Sequence, residues 1–140
     1  MHSGDMIFIG FDLKKDPNTI LKAYDDPHGF TSAFNLNLLT RINYELNANF
    51  DLHNFKHHEA YEPKSGAAIS TLVSLKKQEV KIHDLNINIS FEKGETIFME
   101  ISQKYDLNMI NDIATQSGFE IAENFFDERL FFMNSLWKIR

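Results

Sequence analysis

The sequence predicts a mixed fold, α/β by class and α+β in the way helices and strands are laid out along this chain. Three observations predict it. Met6-Ile7-Phe8-Ile9-Gly10-Phe11 is a near-continuous apolar run of strand length. Phe30, Phe34, Leu38, Leu39, Ile42 and Leu46 recur at the spacing of one helical face. Between residues 55 and 105 the chain breaks into short alternating runs separated by turn formers, the pattern of antiparallel strands. With 140 residues, 43% of them hydrophobic, the chain can bury a modest core of domain size.

The first run reads as a strand covered on both faces, as in a parallel sheet flanked by helices, because neither parity of its side chains is polar. Asp16 is placed to cap a helix over residues 18–24, with Pro17 in the first turn, where a missing N–H costs nothing. Asp25-Asp26-Pro27-His28-Gly29 then interrupts the helix, since Pro27 pushes Asp26 out of helical geometry and Gly29 tolerates angles other residues avoid. A second helix is expected over residues 31–46, its apolar stripe facing the core. Asn35, Asn37, Asn43, Asn47 and Asn49 read as a solvated flank ending in turn formers. Strands are expected at residues 55–61, 68–75, 79–83, 85–91 and 95–105 as an antiparallel meander, with turns at Pro63-Lys64-Ser65-Gly66 and Glu92-Lys93-Gly94. A helix over residues 108–117, closed by Gly118, and two strands at 119–126 and 130–139 finish the chain.

The last strand of the meander carries the chemistry. Alternation sends Ile97, Met99 and Ile101 to the core and Phe98, Glu100 and Ser102 to the other face. A carboxylate and a hydroxyl then stand roughly 6–7 Å apart beside an aromatic wall. That spacing suits a small ring with two divergent polar atoms. In an imidazole, one ring N–H would donate to Glu100 while the other nitrogen bonds the Ser102 hydroxyl, which can donate or accept. The same pair also fits the wet face of an ordinary antiparallel sheet. Tyr24, at a helix end beside an acidic turn, is either an amphipathic Tyr with a wet hydroxyl or a neutral hydrogen-bonding anchor for a ligand.

Composition removes several classes of partner. A formal charge of −6 and a pI near 5.4 offer no basic stripe for nucleic acid. No apolar run approaches the ~20 residues of a membrane-spanning helix, and residues 1–10 lack the pattern of a signal peptide. Without cysteine there is no disulfide framework and no thiol nucleophile, compatible with the cytoplasm. No metal site is expected: His53, His57 and His58 read as surface residues of a loop and strand, and Asp25 and Asp26 sit too close in sequence to converge on one ion. The six glycines are all isolated, so no glycine-rich nucleotide loop occurs, nor any P-loop, nucleophile elbow or HExxH motif.

Several blocks carry a family resemblance. Asp12-Leu13-x-Lys15-Asp16-Pro17, Ala23-Tyr24-Asp25-Asp26, Phe34-Asn35-x-Asn37-x-Leu39, Ile42-Asn43-x-Glu45-Leu46, Gly94-Glu95 and Glu100-Ile101-Ser102 resemble, in order and in spacing, the S-adenosylmethionine-dependent L-histidine Nα-methyltransferases that make trimethylhistidine (hercynine) for ergothioneine. The resemblance covers nearly the whole chain. It implies that Glu100 and Ser102 hold the substrate imidazole, that Tyr24 bonds the substrate carboxylate, and that the substrate is L-histidine or a related amino acid.

The resemblance also implies an architecture. Residues 1–13 would be one strand of an incomplete Rossmann-like class I methyltransferase sheet, residues 14–105 an inserted substrate-binding domain of helices and β-meander, and residues 106–140 a helix and two strands of that sheet. Met1 then reads as a truncated, engineered or misassigned start. The motif for the cofactor, S-adenosylmethionine, would lie upstream, so no cofactor-binding residue is assigned, and residues 1–140 alone are expected to be inactive. An uncovered edge at Met6–Phe11 would favour self-association. The rival reading is a standalone module that binds an amino acid or amine without catalysis.

Overall fold

The computed structural model describes His2 and residues 4–140. Its elements are β1 (Met6–Asp12), α1 (Pro17–Tyr24), α2 (Phe30–Glu45), β2 (Phe55–Glu62), β3 (Ala67–Ser74), β4 (Gln78–Ile82), β5 (Ile87–Phe91), β6 (Thr96–Gln103), α3 (Leu107–Gln116), β7 (Phe119–Phe126) and β8 (Phe132–Ile139). They divide into two compact units. Unit 1 is Met1–Pro17, Glu62–Ala67 and Gln103–Arg140, and unit 2 is Asn18–Tyr61 and Ala68–Ser102. Among the described residues no helix is long and apolar enough to cross a membrane.

Unit 1 contains an antiparallel sheet of order β1-β8-β7 and the helix α3. The odd-numbered side chains of β1 face one way, so Phe11 joins Trp137, Met133, Leu13, Ile110 and Ala114 in one core. Phe11 and Trp137 stack with centroids 5.6 Å apart. The other face of β1 is open, contrary to the expectation of cover on both sides, and Phe8 is 62% exposed. Among the described residues β1 has a helix, α3, against one face only, and with β8 as its strand neighbour it lies at a sheet edge. Asp106 caps α3 by accepting from the Met109 N–H at 3.0 Å and pairs with Lys14 at 2.9 Å.

Asp12, at the end of β1, gathers charge. Its carboxylate meets the ammonium of Lys15 at 2.5 Å and that of Lys104 at 2.7 Å. Lys104 is 2% exposed. Burial alone would raise the Asp12 carboxyl, but the two ammonium groups outweigh it and hold it below the usual carboxylate range. Gly66, at φ +82°, lets the turn between β2 and β3 approach the Lys104 carbonyl, where a Cβ would come within 2.2 Å.

In unit 2 the three strands pair in the order β2-β3-β6, while β4 and β5 form a separate hairpin with Gln78 opposite Phe91 and Ile82 opposite Ile87. The expected meander is therefore interrupted: the chain leaves β3, makes its own hairpin, and returns to the same strand. Leu39, Phe50, Phe55, Leu72, Val80, Ile82 and Phe91 make the core. The helix α2 lies where periodicity placed it, but its buried face differs. Asn35 and Leu39 are inward, whereas Phe30 and Phe34 are exposed. The amides are also not a solvated flank throughout, since Asn43 donates to the Phe50 carbonyl and accepts from the Phe50 N–H, both at 2.7 Å. That clasp closes the connection after α2 and satisfies backbone groups that burial would otherwise orphan.

Candidate functional site

All the candidate residues lie in unit 2. Tyr24 is the last residue of α1, and the acidic block after it begins the next helix. Asp26 accepts N–H bonds from His28 at 3.0 Å, Phe30 at 3.1 Å and Thr31 at 2.9 Å, so it satisfies orphan donors in the first turn of α2. The Thr31 bond is the largest influence, and together with those of Phe30 and His28 it takes the Asp26 carboxyl down to about 2. The turn thereby fixes where α1 stops, and with it the root of the phenol.

The Tyr24 hydroxyl lies 2.7 Å from Ser102 Oγ. Glu100, two residues earlier on β6, lines a hollow of about 200 Å³ together with Phe34, Asn35, Asn37, Leu38, Arg41 and Met99. The alternation expected along β6 does not hold throughout. Ile97 and Met99 pack on the core, then Glu100 and Ser102 are partly buried while Ile101 is exposed. The inward parity changes between Met99 and Glu100, as an extra residue in a strand would make it do. Phe98 is 62% exposed and does not line the hollow. The aromatic side chain there is Phe34, from α2.

Behind Glu100 stands a second carboxylate. Ser74 bonds Gly94 and Glu95, just before β6, and counting back along β3 from the Glu95 bond places Ser70 opposite Met99, the neighbour of Glu100. On its other side Ser70 Oγ donates to Glu59 Oε2 of β2 at 2.5 Å. Glu59 is 8% exposed, and its Oε1 is buried with no hydrogen-bonding partner. Burial pushes the Glu59 carboxyl above its usual range; the Ser70 bond pulls it down, and the nearby Glu100 charge pushes it up.

His57, also on β2, connects the helices. One ring nitrogen, Nδ1, is 3.1 Å from Asn35 Nδ2, and the other, Nε2, is 3.1 Å from the Tyr24 carbonyl oxygen. His57 is 6% exposed and Asn35 2%, so the reading of His57 as a surface residue is overturned. The signal was available: Phe55, His57 and Glu59 share one parity of β2, so an inward Phe55 carries both polar residues inward with it. Among the described residues no group of three or more His, Cys, Asp or Glu is arranged to hold a metal ion.

Residues 1–139 match the family model described as "Histidine-specific methyltransferase, SAM-dependent". The chain belongs to the histidine-specific, SAM-dependent methyltransferase family. The chain is 36% identical over 105 residues to a histidine N-alpha-methyltransferase of Mycobacterium tuberculosis, covering 75% of this chain and 33% of that relative. A histidine N-alpha-methyltransferase of Mycolicibacterium smegmatis is 35% identical over 115 residues, 81% of this chain and 36% of the relative. Ergothioneine biosynthesis protein 1 of Schizosaccharomyces pombe is 25% identical over 122 residues, 86% of this chain and 16% of that protein. The matches thus span about a third of each mycobacterial relative. Among the described residues, none of the isolated glycines makes a glycine-rich turn from a strand into a helix N-terminus, the feature that would hold S-adenosylmethionine.

Proposed function

We propose that unit 2 is the substrate-binding side of a SAM-dependent methyltransferase acting on the α-amine of L-histidine, giving hercynine on the route to ergothioneine. The observation that carries it is the meeting of Tyr24 and Ser102 at 2.7 Å, two residues along β6 from a Glu100 that lines a hollow. Glu100 accepts one ring N–H, the Ser102 hydroxyl bonds the other ring nitrogen, and the Tyr24 phenol bonds the carboxylate. A neutral phenol anchors that carboxylate without placing a fixed charge beside the amine. Methyl transfer needs a neutral, well-placed amine and the exclusion of water, so orientation is the contribution these residues make. The names of the two mycobacterial relatives support histidine as the substrate, and that of the Schizosaccharomyces pombe relative supports the ergothioneine route.

In this reading β1, α3, β7 and β8 are the C-terminal part of a Rossmann-like class I methyltransferase sheet, residues 14–105 are its substrate-binding insertion, and the enzyme is cytoplasmic. Calorimetric titration of the protein with L-histidine, L-phenylalanine and imidazole tests it. Histidine should bind at least tenfold tighter than either of the others, since each lacks one set of partners. Equal affinity for histidine and phenylalanine would remove the ring-recognition argument. Histidine binding with no methylated product in the presence of S-adenosylmethionine, in a protein extended to the length of its relatives, would favour a binding module.

A further inference from the structure

We infer that His57 is a positioning residue for Tyr24, acting through the Tyr24 backbone carbonyl and resting on the substrate role proposed for that tyrosine. The last carbonyls of a helix have no intrahelical partner. At the end of α1 the Tyr24 carbonyl is met by His57 Nε2 at 3.1 Å. A carbonyl oxygen only accepts, so Nε2 carries the proton. Asn35 Nδ2, a donor 3.1 Å from Nδ1, then selects the neutral Nε2–H tautomer. Three elements are tied in one line: α2 through Asn35, β2 through His57, and the end of α1 through Tyr24, whose hydroxyl reaches Ser102 on β6.

The alternatives for this imidazole fail on the same geometry. Both nitrogens are occupied and the ring is 6% exposed, which leaves no lone pair for a metal and no nitrogen to take a substrate proton. What the ring can do is hold the backbone from which the phenol projects. The root of Tyr24 is thus anchored on the buried face of β2, although Tyr24 itself is only partly buried.

Two measurements on the protein decide the inference. In ¹⁵N spectra of the histidine side chains, His57 should show a protonated Nε2 and an unprotonated Nδ1; the opposite tautomer overturns the assignment. In the second, His57→Leu removes the donor, while His57→Gln keeps an N–H near the Nε2 position. His57→Leu should displace the Tyr24 ring signals and weaken L-histidine binding about tenfold, and His57→Gln should recover most of both. In a Tyr24→Phe background the effect of His57→Leu on affinity should largely vanish, because no Tyr24 hydroxyl is left for His57 to place. A full, additive loss in that background, or Tyr24 ring signals unmoved in His57→Leu, overturns the inference. Should His57→Leu fail to fold, His57→Gln with native Tyr24 signals supports it and displaced signals oppose it. If the unsubstituted protein binds no histidine, the proposed function fails, and the tautomer and ring signals still decide the role of His57.

Discussion

Tyr24 and Ser102 are 78 residues apart in sequence and bring their hydroxyl oxygens to 2.7 Å of each other. The contact joins the end of α1 to β6, so it serves stability as well as any ligand. Removing either hydroxyl, in Tyr24→Phe or Ser102→Ala, should cost about 1 kcal/mol of unfolding free energy, and the double variant should lose less than the sum. Urea denaturation of the four proteins measures this. Strict additivity would show that the two groups do not interact in solution.

Glu59 gives a pH-dependent prediction with a definite sign. Its folded carboxyl is raised above the ordinary 4.5, so its favourable contribution is full below that value and is lost as pH rises through the folded pKa. Above the folded pKa the ionised group is a burden on the fold. Glu59→Gln should therefore raise Tm relative to the parent near neutral pH, with the gap closing as the pH falls below 4.5. A gap that stays constant across the titration would contradict the assignment.

Asp12 has the opposite sign. Its carboxyl is held below the ordinary 3.8 by Lys104 and Lys15 against the effect of burial, so its contribution is present above that value and is lost as the pH falls. Asp12→Asn leaves the buried Lys104 ammonium beside a neutral amide. Because the Asp12 side chain is 38% exposed, the cost is discounted to about 1–3 kcal/mol. Chemical denaturation near neutral pH should show that loss, and the difference should shrink in acid.

Gly66→Ala should also destabilise unit 1. The left-handed backbone alone costs a Cβ-bearing residue roughly 1–2 kcal/mol, and here the new atom meets the Lys104 carbonyl at 2.2 Å. Gly29→Ala, also at positive φ but with nothing within 4 Å, is the control and should lose less in the same melting experiment.

Much of this arrangement was legible in the sequence because local rules fixed it. Pro17, Gly29 and Gly118 mark helix ends by backbone geometry, and the helices and most strands fall within a few residues of where those marks put them. What escaped depended on partners distant in sequence. Phe34 and Asn35 have helical neighbours of similar polarity, and only the packing of α2 decides that the amide is inward and the ring outward. The change of parity at Met99 and Glu100 exposes Ile101 and turns Glu100 and Ser102 inward, which strict alternation cannot express. His57 and Glu59 were legible in principle, since they share parity with Phe55, yet polarity argued for the surface. The return of β6 to β3 past the β4–β5 hairpin has no local signal at all.

The most direct test concerns the ring-binding carboxylate. L-Histidine is titrated into the protein and into Glu100→Ala, with thermal melts of both to confirm the fold. Loss of one charge-assisted hydrogen bond should weaken binding by about 1.5–3 kcal/mol, on the order of 10- to 150-fold, with little change in Tm. Histidine bound as tightly by the alanine variant as by the parent would contradict the account.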